Sequence, residues 1–118
     1  MPTKPPIVHA ITDLYKNLYA LGKQIPKRDK FGIHSEIERV CLESFSLSIQ
    51  TALSPQNEKQ SPLKELRINI EIIKRLVRIS WETKIYPESK YIFIEERLQE
   101  ISKMASGWLK YINTKGAI

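Results

Sequence analysis

The chain has 118 residues, of which 42% are hydrophobic and 27% are charged. This length and composition fit one folded domain with its own core, and they exclude a globally disordered chain. The formal net charge is +6 at pH 7. A surface of that sign attracts polyanions such as nucleic acid or anionic membrane.

The cysteine count and the amino-terminal residues favour a cytoplasmic location. Cys41 is the only cysteine, so no intramolecular disulfide can form, which is typical of a reducing compartment. The first six residues, Met-Pro-Thr-Lys-Pro-Pro, lack the apolar core of a signal peptide. No apolar run approaches the roughly 18–20 residues that span a bilayer. We therefore expect a cytoplasmic protein without a membrane partner.

Apolar residues at steps of three and four predict the first two amphipathic helices. Helix one is expected over about 5–23, because two prolines suit its first turn and Gly22 and Pro26 bracket its end. Helix two is expected over about 29–53. It ends there because the proline at position 55 biases Ser54 away from helical geometry.

The second half of the chain predicts two more helices. Helix three is expected over about 62–85, with Ser61 as its amino-terminal cap and Pro87 beyond its end. Helix four is expected over about 88–113 and has the clearest pattern, a seam suited to bundle packing. That seam consists of Tyr91, Ile94, Leu98, Ile101, Ala105, Trp108 and Ile112.

Four helices of about 20 residues joined by short loops predict an all-α fold, namely an antiparallel four-helix bundle with up-down-up-down topology. The whole chain, residues 1–118, is expected to form this single domain. A three-helix alternative would need helices one and two fused through Pro26, which helix geometry resists.

Helices two and three also carry a second group of apolar residues that faces away from the core stripe at about 100° per residue. Contiguous exposed isoleucines usually mark an interface, so this apolar strip predicts self-association. Packing on the amino-terminal tail or on a long loop is the alternative. A non-isologous contact of this kind would close into a ring. The apolar strip consists of Leu42, Ile49 and Leu53 on helix two, and of Ile68, Ile72 and Ile79 on helix three.

Basic residues cluster in the first loop and along one flank of helix three. Spacings of seven and four residues stack the helical cations on one side, within reach of successive phosphates. Glu71 interrupts this row, and pairs such as Glu71–Arg75 on a solvated helix face are the alternative. The predicted phosphate contacts are Lys27, Arg28, Lys30, Arg67, Lys74, Arg75 and Arg78.

Catalytic or metal chemistry has little support in the sequence. His9 and His34 lack a partner at ligand spacing, and a surface hydrogen bond accounts for the pairing of His34 with Glu38. Cys41 lies on a core face and behaves as a small apolar residue. No Walker loop or nucleophile elbow is present. We predict a protein that is not an enzyme and that needs no cofactor or metal.

Two segments of the chain resemble a known family. The segment over 25–38, Ile-Pro-Lys-Arg-Asp-Lys-Phe-Gly-Ile-His-Ser-Glu-Ile-Glu, resembles the start of helix two in the Avd family. These are the accessory variability determinants of diversity-generating retroelements. The segment over 98–108, Leu-Gln-Glu-Ile-Ser-Lys-Met-Ala-Ser-Gly-Trp, is similar to the pattern Leu-x-Glu-Ile-(Gly/Ser)-Lys-Met-x-x-Gly-Trp of that family. The related ribosomal RNA intervening-sequence proteins share the bundle.

The resemblance implies a basic homopentamer, a barrel of five bundles that binds nucleic acid and a partner reverse transcriptase. In the family, the protein is not itself a polymerase but supports mutagenic cDNA synthesis. We therefore expect a reverse transcriptase and template RNA as partners, with DNA or an RNA/DNA hybrid as alternative ligands. Two other functions stay open: an oligomeric helical-bundle interaction scaffold, and an rRNA-associated protein of the intervening-sequence type.

Overall fold

The computed structural model describes residues 6–116, and over that range it contains helices and no strands. Four helices are long, one consists of a single turn, and a 3₁₀ turn at Gln56–Glu58 joins two of the long helices. The all-helical prediction is confirmed for this part of the chain. The helices are α1 (Pro6–Gly22), α2 (Lys27–Lys30), α3 (Ile33–Leu53), α4 (Gln60–Glu82) and α5 (Glu88–Gly116).

The helix predicted over 29–53 is divided in the structure. Gly32 has φ −101° and ψ −115°, which is not a helical conformation, so the chain turns between α2 and α3. A Cβ atom at Gly32 would lie 2.9 Å from the carbonyl oxygen of Arg28, so a larger residue would push the backbone apart. The prediction of one continuous helix from residue 29 was therefore wrong, and α3 begins at Ile33.

The other bounds differ by a few residues. The helix predicted over 62–85 begins at Gln60 and ends at Glu82. It ends early because Lys84 adopts a left-handed conformation with φ 64°, and the amide of Ile85 then donates to the carbonyl oxygen of Ser80 at 2.8 Å. α5 starts at 88 as expected and continues to Gly116, three residues beyond the predicted end. The predicted start of helix one at residue 5 lies outside the described residues.

The four long helices pack around one core. α1 and α4 each contact both α3 and α5, so every long helix has two neighbours. Inward-facing aliphatic side chains such as Ile11, Ile37, Leu66 and Leu98 have no exposed surface. Burial of this kind is the main stabilising contribution, since a fully buried Leu or Ile gives about 1.5–3 kcal/mol.

Specific contacts fix how α4 lies beside α5. At the first turn of α4, the side-chain amide of Gln60 donates to the Asn113 oxygen at 3.0 Å. At the last turn, Trp81 stacks on Tyr91 with ring centroids 4.6 Å apart. The beginning of α4 therefore lies beside the last turns of α5, and its end lies beside the first turn of α5.

A buried polar network joins the start of α3 to the α4–α5 connection. His34 has no exposed surface, and its Nδ1 lies 2.6 Å from the Tyr86 hydroxyl while Nε2 lies 3.0 Å from the Leu18 carbonyl oxygen. A carbonyl only accepts, so Nε2 carries the proton and Tyr86 donates to Nδ1. Gly22 makes room for the ring, since a Cβ there would lie 3.1 Å from Nε2. The prediction of a surface hydrogen bond between His34 and Glu38 was therefore wrong. His34 Nε2 lies 3.6 Å from a Glu38 carboxylate oxygen, and the His34 ring is buried.

None of the helices within residues 6–116 combines the length and the apolar character needed to cross a membrane.

Candidate nucleic-acid interface

The helical turn α2 presents the three basic residues predicted in the first loop. Pro26 precedes the turn, and its carbonyl oxygen accepts hydrogen bonds from the backbone amides of Asp29 and Lys30, at 3.0 and 2.8 Å. Lys27 and Arg28 are exposed, and the Arg28 side chain is 92% exposed even though its Nε lies 3.5 Å from Asp29. Lys30 is half-buried. The structure therefore leaves two of these three cations fully open to a ligand.

A surplus of positive charge lies at the end of the molecule that contains α2. Segments 22–34 and 83–90 meet there through the His34–Tyr86 hydrogen bond. We call these two segments the basic end. They contain six basic and two acidic residues, so they carry +4 of the net charge of +6. The basic residues are Lys23, Lys27, Arg28, Lys30, Lys84 and Lys90, and the acidic residues are Asp29 and Glu88.

Two of the four cations predicted on helix three are engaged in ion pairs on α4. The Lys74 side chain is only 17% exposed, and its Nζ lies 3.4 Å from the Glu71 carboxylate. Arg78 Nε lies 3.4 Å from Glu82 one turn later. The alternative prediction paired Glu71 with Arg75. In the structure, Glu71 pairs with Lys74 instead. The exposed Arg78–Glu82 pair contributes about 0–1 kcal/mol to stability. In both pairs the carboxylate partly neutralises the cation, which disfavours phosphate binding.

The other two predicted cations line a groove between α4 and α5. Arg67 and Arg75 have no ion pair with any residue in 6–116, and Arg67 Nη2 lies 3.5 Å from the Ser106 hydroxyl. The groove has a volume of about 620 Å³. Small α5 side chains form its other wall, so a ligand can approach the arginines closely. The lining consists of Lys64, Arg67, Ile68, Ile70, Glu71, Ile72, Arg75, Ser102, Ala105 and Ser106.

Most of the apolar strip is exposed, as its position on the helices predicts. Ile68 is 61% exposed, and it shares the α4–α5 groove with Ile72. Ile49 differs from the others because it is half-buried and packs against the core. The exposed members of the strip are Leu42, Leu53, Ile68, Ile72 and Ile79.

Sequence reasoning missed one residue of the basic end. Phe31 is 72% exposed, and the Lys30 ammonium lies 5.8 Å from the centroid of its ring. The sequence does contain a sign that Phe31 is exposed. Phe31 lies between basic residues and a glycine, and it does not fall on the apolar stripe of either neighbouring helix. An aromatic residue in that setting has no core position to fill.

The surroundings of Cys41 disfavour thiol chemistry. Cys41 is buried, and burial raises the pKa of its thiol to about 12, with the Glu38 carboxylate acting in the same direction. The thiol therefore stays protonated at neutral pH and is a poor nucleophile. Between residues 6 and 116, no three histidine, cysteine or acidic side chains come close enough together to hold a metal ion.

The chain is similar to a known protein family. The family model described as bAvd-like matches residues 7–112. Comparison with curated proteins and with solved structures gives no match. The matched range includes α2, the turn at Gly32 and nearly all of the four long helices. The chain therefore belongs to the bAvd-like family.

Proposed function

We propose that this chain is a non-enzymatic accessory protein of a diversity-generating retroelement, which binds the template RNA and the partner reverse transcriptase in the cytoplasm. Membership of the bAvd-like family supports an Avd-type accessory role. The observation that carries the RNA-binding part is the basic end, with +4 of the net charge of +6 in 21 residues. Binding of this kind supports mutagenic cDNA synthesis by holding the template near the polymerase.

Phosphate contacts are assigned to the cations that the fold leaves unpaired or fully exposed. Lys27 and Arg28 project from the basic end, and Arg67 and Arg75 line the α4–α5 groove. Each phosphate that they neutralise releases condensed counterions, so the affinity falls steeply as the salt concentration rises. Lys74 and Arg78 contribute less in this scheme, because Glu71 and Glu82 already partly neutralise them.

The proposal includes assembly of an up-down-up-down bundle into a homopentamer. The exposed isoleucines of the apolar strip support self-association, because a helix in a monomeric bundle normally presents polar residues to solvent. Five copies of a chain with net charge +6 carry about +30. A field of that size suits a long RNA that contacts several subunits.

Charge reversal tests the RNA site. The variant Lys27→Glu/Arg28→Glu and the variant Arg67→Glu/Arg75→Glu are compared with Lys16→Glu/Lys103→Glu, which changes the net charge equally at exposed sites on α1 and α5. We expect each of the first two variants to weaken RNA binding at least tenfold in a salt-titrated mobility-shift assay. If both variants bind RNA as tightly as the control variant does, and circular dichroism shows unchanged helicity, the proposed site is refuted.

An oligomeric interaction scaffold without a nucleic-acid ligand is the second candidate, and the exposed apolar strip favours it equally. The two functions differ in what the basic end does. A scaffold predicts purified protein without excess absorbance at 260 nm and without retention on heparin. Retention on heparin that is lost with salt supports the RNA-binding function instead.

A further inference from the structure

Phe31 is the most exposed phenylalanine, tyrosine or tryptophan in residues 6–116. The residue is 72% exposed, against 60% for Tyr19 and 57% for Tyr111. An aromatic ring is normally among the residues that a small protein buries. Phe31 is instead exposed to solvent, and it follows the exposed cations Lys27 and Arg28 by four and three residues.

The backbone holds Phe31 in a defined place. Its amide donates to the Lys27 carbonyl oxygen at 3.0 Å, and the Gly32 amide donates to the Asp29 carbonyl oxygen at 3.2 Å. The contact that a Cβ at Gly32 would make with the Arg28 carbonyl, at 2.9 Å, shows how tightly the chain turns here. The backbone of Phe31 is therefore held by a hydrogen-bonded turn close to the backbone of Lys27 and Arg28.

We propose that Phe31 is a stacking platform for an unpaired nucleobase, and that Lys27 and Arg28 contact the phosphates beside that base. Cations alone bind the backbone of single and double strands alike, whereas an exposed ring adds affinity only for a strand whose bases are free. The basic end should therefore prefer single-stranded to double-stranded nucleic acid. This inference rests on the proposed function, since it specifies which form of nucleic acid the basic end binds.

Charge and shape together point to this ligand. The surplus of four positive charges in segments 22–34 and 83–90 matches a polyanion. A flat aromatic face matches a base, because every base has a π-face and stacking is tolerant of sequence. An acidic peptide would satisfy the cations but would leave the ring without a planar partner.

The test compares two substitutions that keep an apolar side chain at this position. Phe31→Leu removes the aromatic face without a change in charge, and Phe31→Trp enlarges it. Each full-length protein is titrated into a fluorescently labelled single-stranded RNA and into an RNA duplex of equal length. We expect Phe31→Leu to weaken binding of the single strand about five- to twentyfold and binding of the duplex less than twofold. Its salt dependence should match that of the unmodified protein, because no phosphate contact is lost.

Phe31→Trp provides a direct signal. We expect it to bind the single strand at least as tightly as the unmodified protein, with quenching of emission beyond that seen from Trp81 and Trp108. No additional quenching would overturn the proposal. Equal loss of single-strand and duplex binding in Phe31→Leu would also overturn it, as would competition by poly-glutamate as strong as that by single-stranded RNA.

Failure of the inference is distinguishable from failure of the proposed function. If the unmodified protein binds neither RNA, the proposed function fails and the inference fails with it. If charge reversal at Lys27 and Arg28 abolishes binding while Phe31→Leu leaves single-strand affinity unchanged, the RNA site stands and the stacking platform alone is refuted. Circular dichroism of Phe31→Leu should show unchanged helicity, since the ring is not part of the core.

Discussion

The two ends of the molecule use lysine in different ways. At the basic end, Lys27 is exposed and has no ion pair within the described residues. The α3–α4 connection lies at the other end of α3, about 30 Å away for a helix of 21 residues. There, Lys59 donates from Nζ to the carbonyl oxygens of Thr51 and Ala52, at 2.8 and 3.0 Å. One lysine is free to meet a ligand, and the other satisfies the carboxyl end of a helix.

The basic end also differs in charge from the α3–α4 connection. Segments 22–34 and 83–90 carry +4, whereas the charged residues of the connection over 54–59 are Glu58 and Lys59, which cancel. The charge of Lys27 is therefore available to partners, and the charge of Lys59 is used within the fold. Substitutions at the two ends test that division.

Removal of the His34 ring should destabilise the fold most. His34→Ala creates a cavity and leaves the Tyr86 hydroxyl and the Leu18 carbonyl without their partner, so we expect a loss of about 3 kcal/mol in the free energy of unfolding. Urea denaturation followed by circular dichroism measures this loss. His9→Ala is the control, because His9 is an exposed residue on α1. A loss below about 1 kcal/mol for His34→Ala would show that the network does not hold the basic end together.

The same histidine should make stability depend on pH. Burial lowers the pKa of His34 below its ordinary value of 6.5, and this outweighs the opposing effect of Glu38. Below pH 6.5 the unfolded chain therefore binds a proton that the folded chain does not, so stability falls as the pH falls. The slope has a ceiling of about 1.4 kcal/mol per pH unit for one proton.

Urea denaturation between pH 7.5 and pH 5 measures that slope. The lower limit keeps most carboxylates ionised, so that they contribute little to the change. In His34→Gln the fall in stability over this range should largely disappear. An equal pH dependence in the two proteins would assign the effect to other groups.

Most of the packing in this bundle follows from the sequence, because it depends on local periodicity. Most apolar positions at steps of three and four in α4 and α5 are buried in the structure, for example Ile70, Leu98 and Ile101, whereas Tyr91 and Trp108 of the predicted seam are half-buried. The exposed position of Ile68 follows from the same angular reasoning. Periodicity alone assigned each of these residues to the correct side of its helix.

The features that sequence reasoning missed depend on contacts between distant residues or on a single backbone angle. Burial of His34 requires Tyr86, which is 52 residues away. The break between α2 and α3 requires the unusual angles of Gly32. The ion pair of Lys74 depends on whether Glu71 pairs with the residue three or four positions further along α4, and helical spacing permits both. None of these follows from composition or from a period of 3.6 residues.

A lysine substitution at each end should distinguish their roles, because only the one at Lys59 should lower the free energy of unfolding, by about 1 kcal/mol. Lys59→Met removes two hydrogen bonds to carbonyls at the end of α3, so we expect a loss of about 1 kcal/mol in the free energy of unfolding and no change in RNA affinity. Lys27→Met should leave stability within about 0.5 kcal/mol of the unmodified protein and should weaken RNA binding severalfold.

Thermal denaturation and RNA titration of both lysine variants measure these effects. Each substitution removes one positive charge, so the two proteins have equal net charge. If Lys59→Met weakened RNA binding as much as Lys27→Met does, total charge rather than its location would govern affinity.

The smallest expected effect lies within the basic end, where Lys84 combines a free charge with backbone strain. Its φ of 64° places it in the left-handed region that closes α4, a region that costs a side-chain-bearing residue about 1 kcal/mol relative to glycine. Lys84→Gly should therefore raise the free energy of unfolding by about 0.5–1 kcal/mol while it slightly weakens RNA binding. Lys84→Ala separates the two contributions, because it removes the charge but keeps the Cβ atom. The alanine variant should show the same weakening of RNA binding without the gain in stability, and a gain equal to that of glycine would show that the backbone at this turn is not strained.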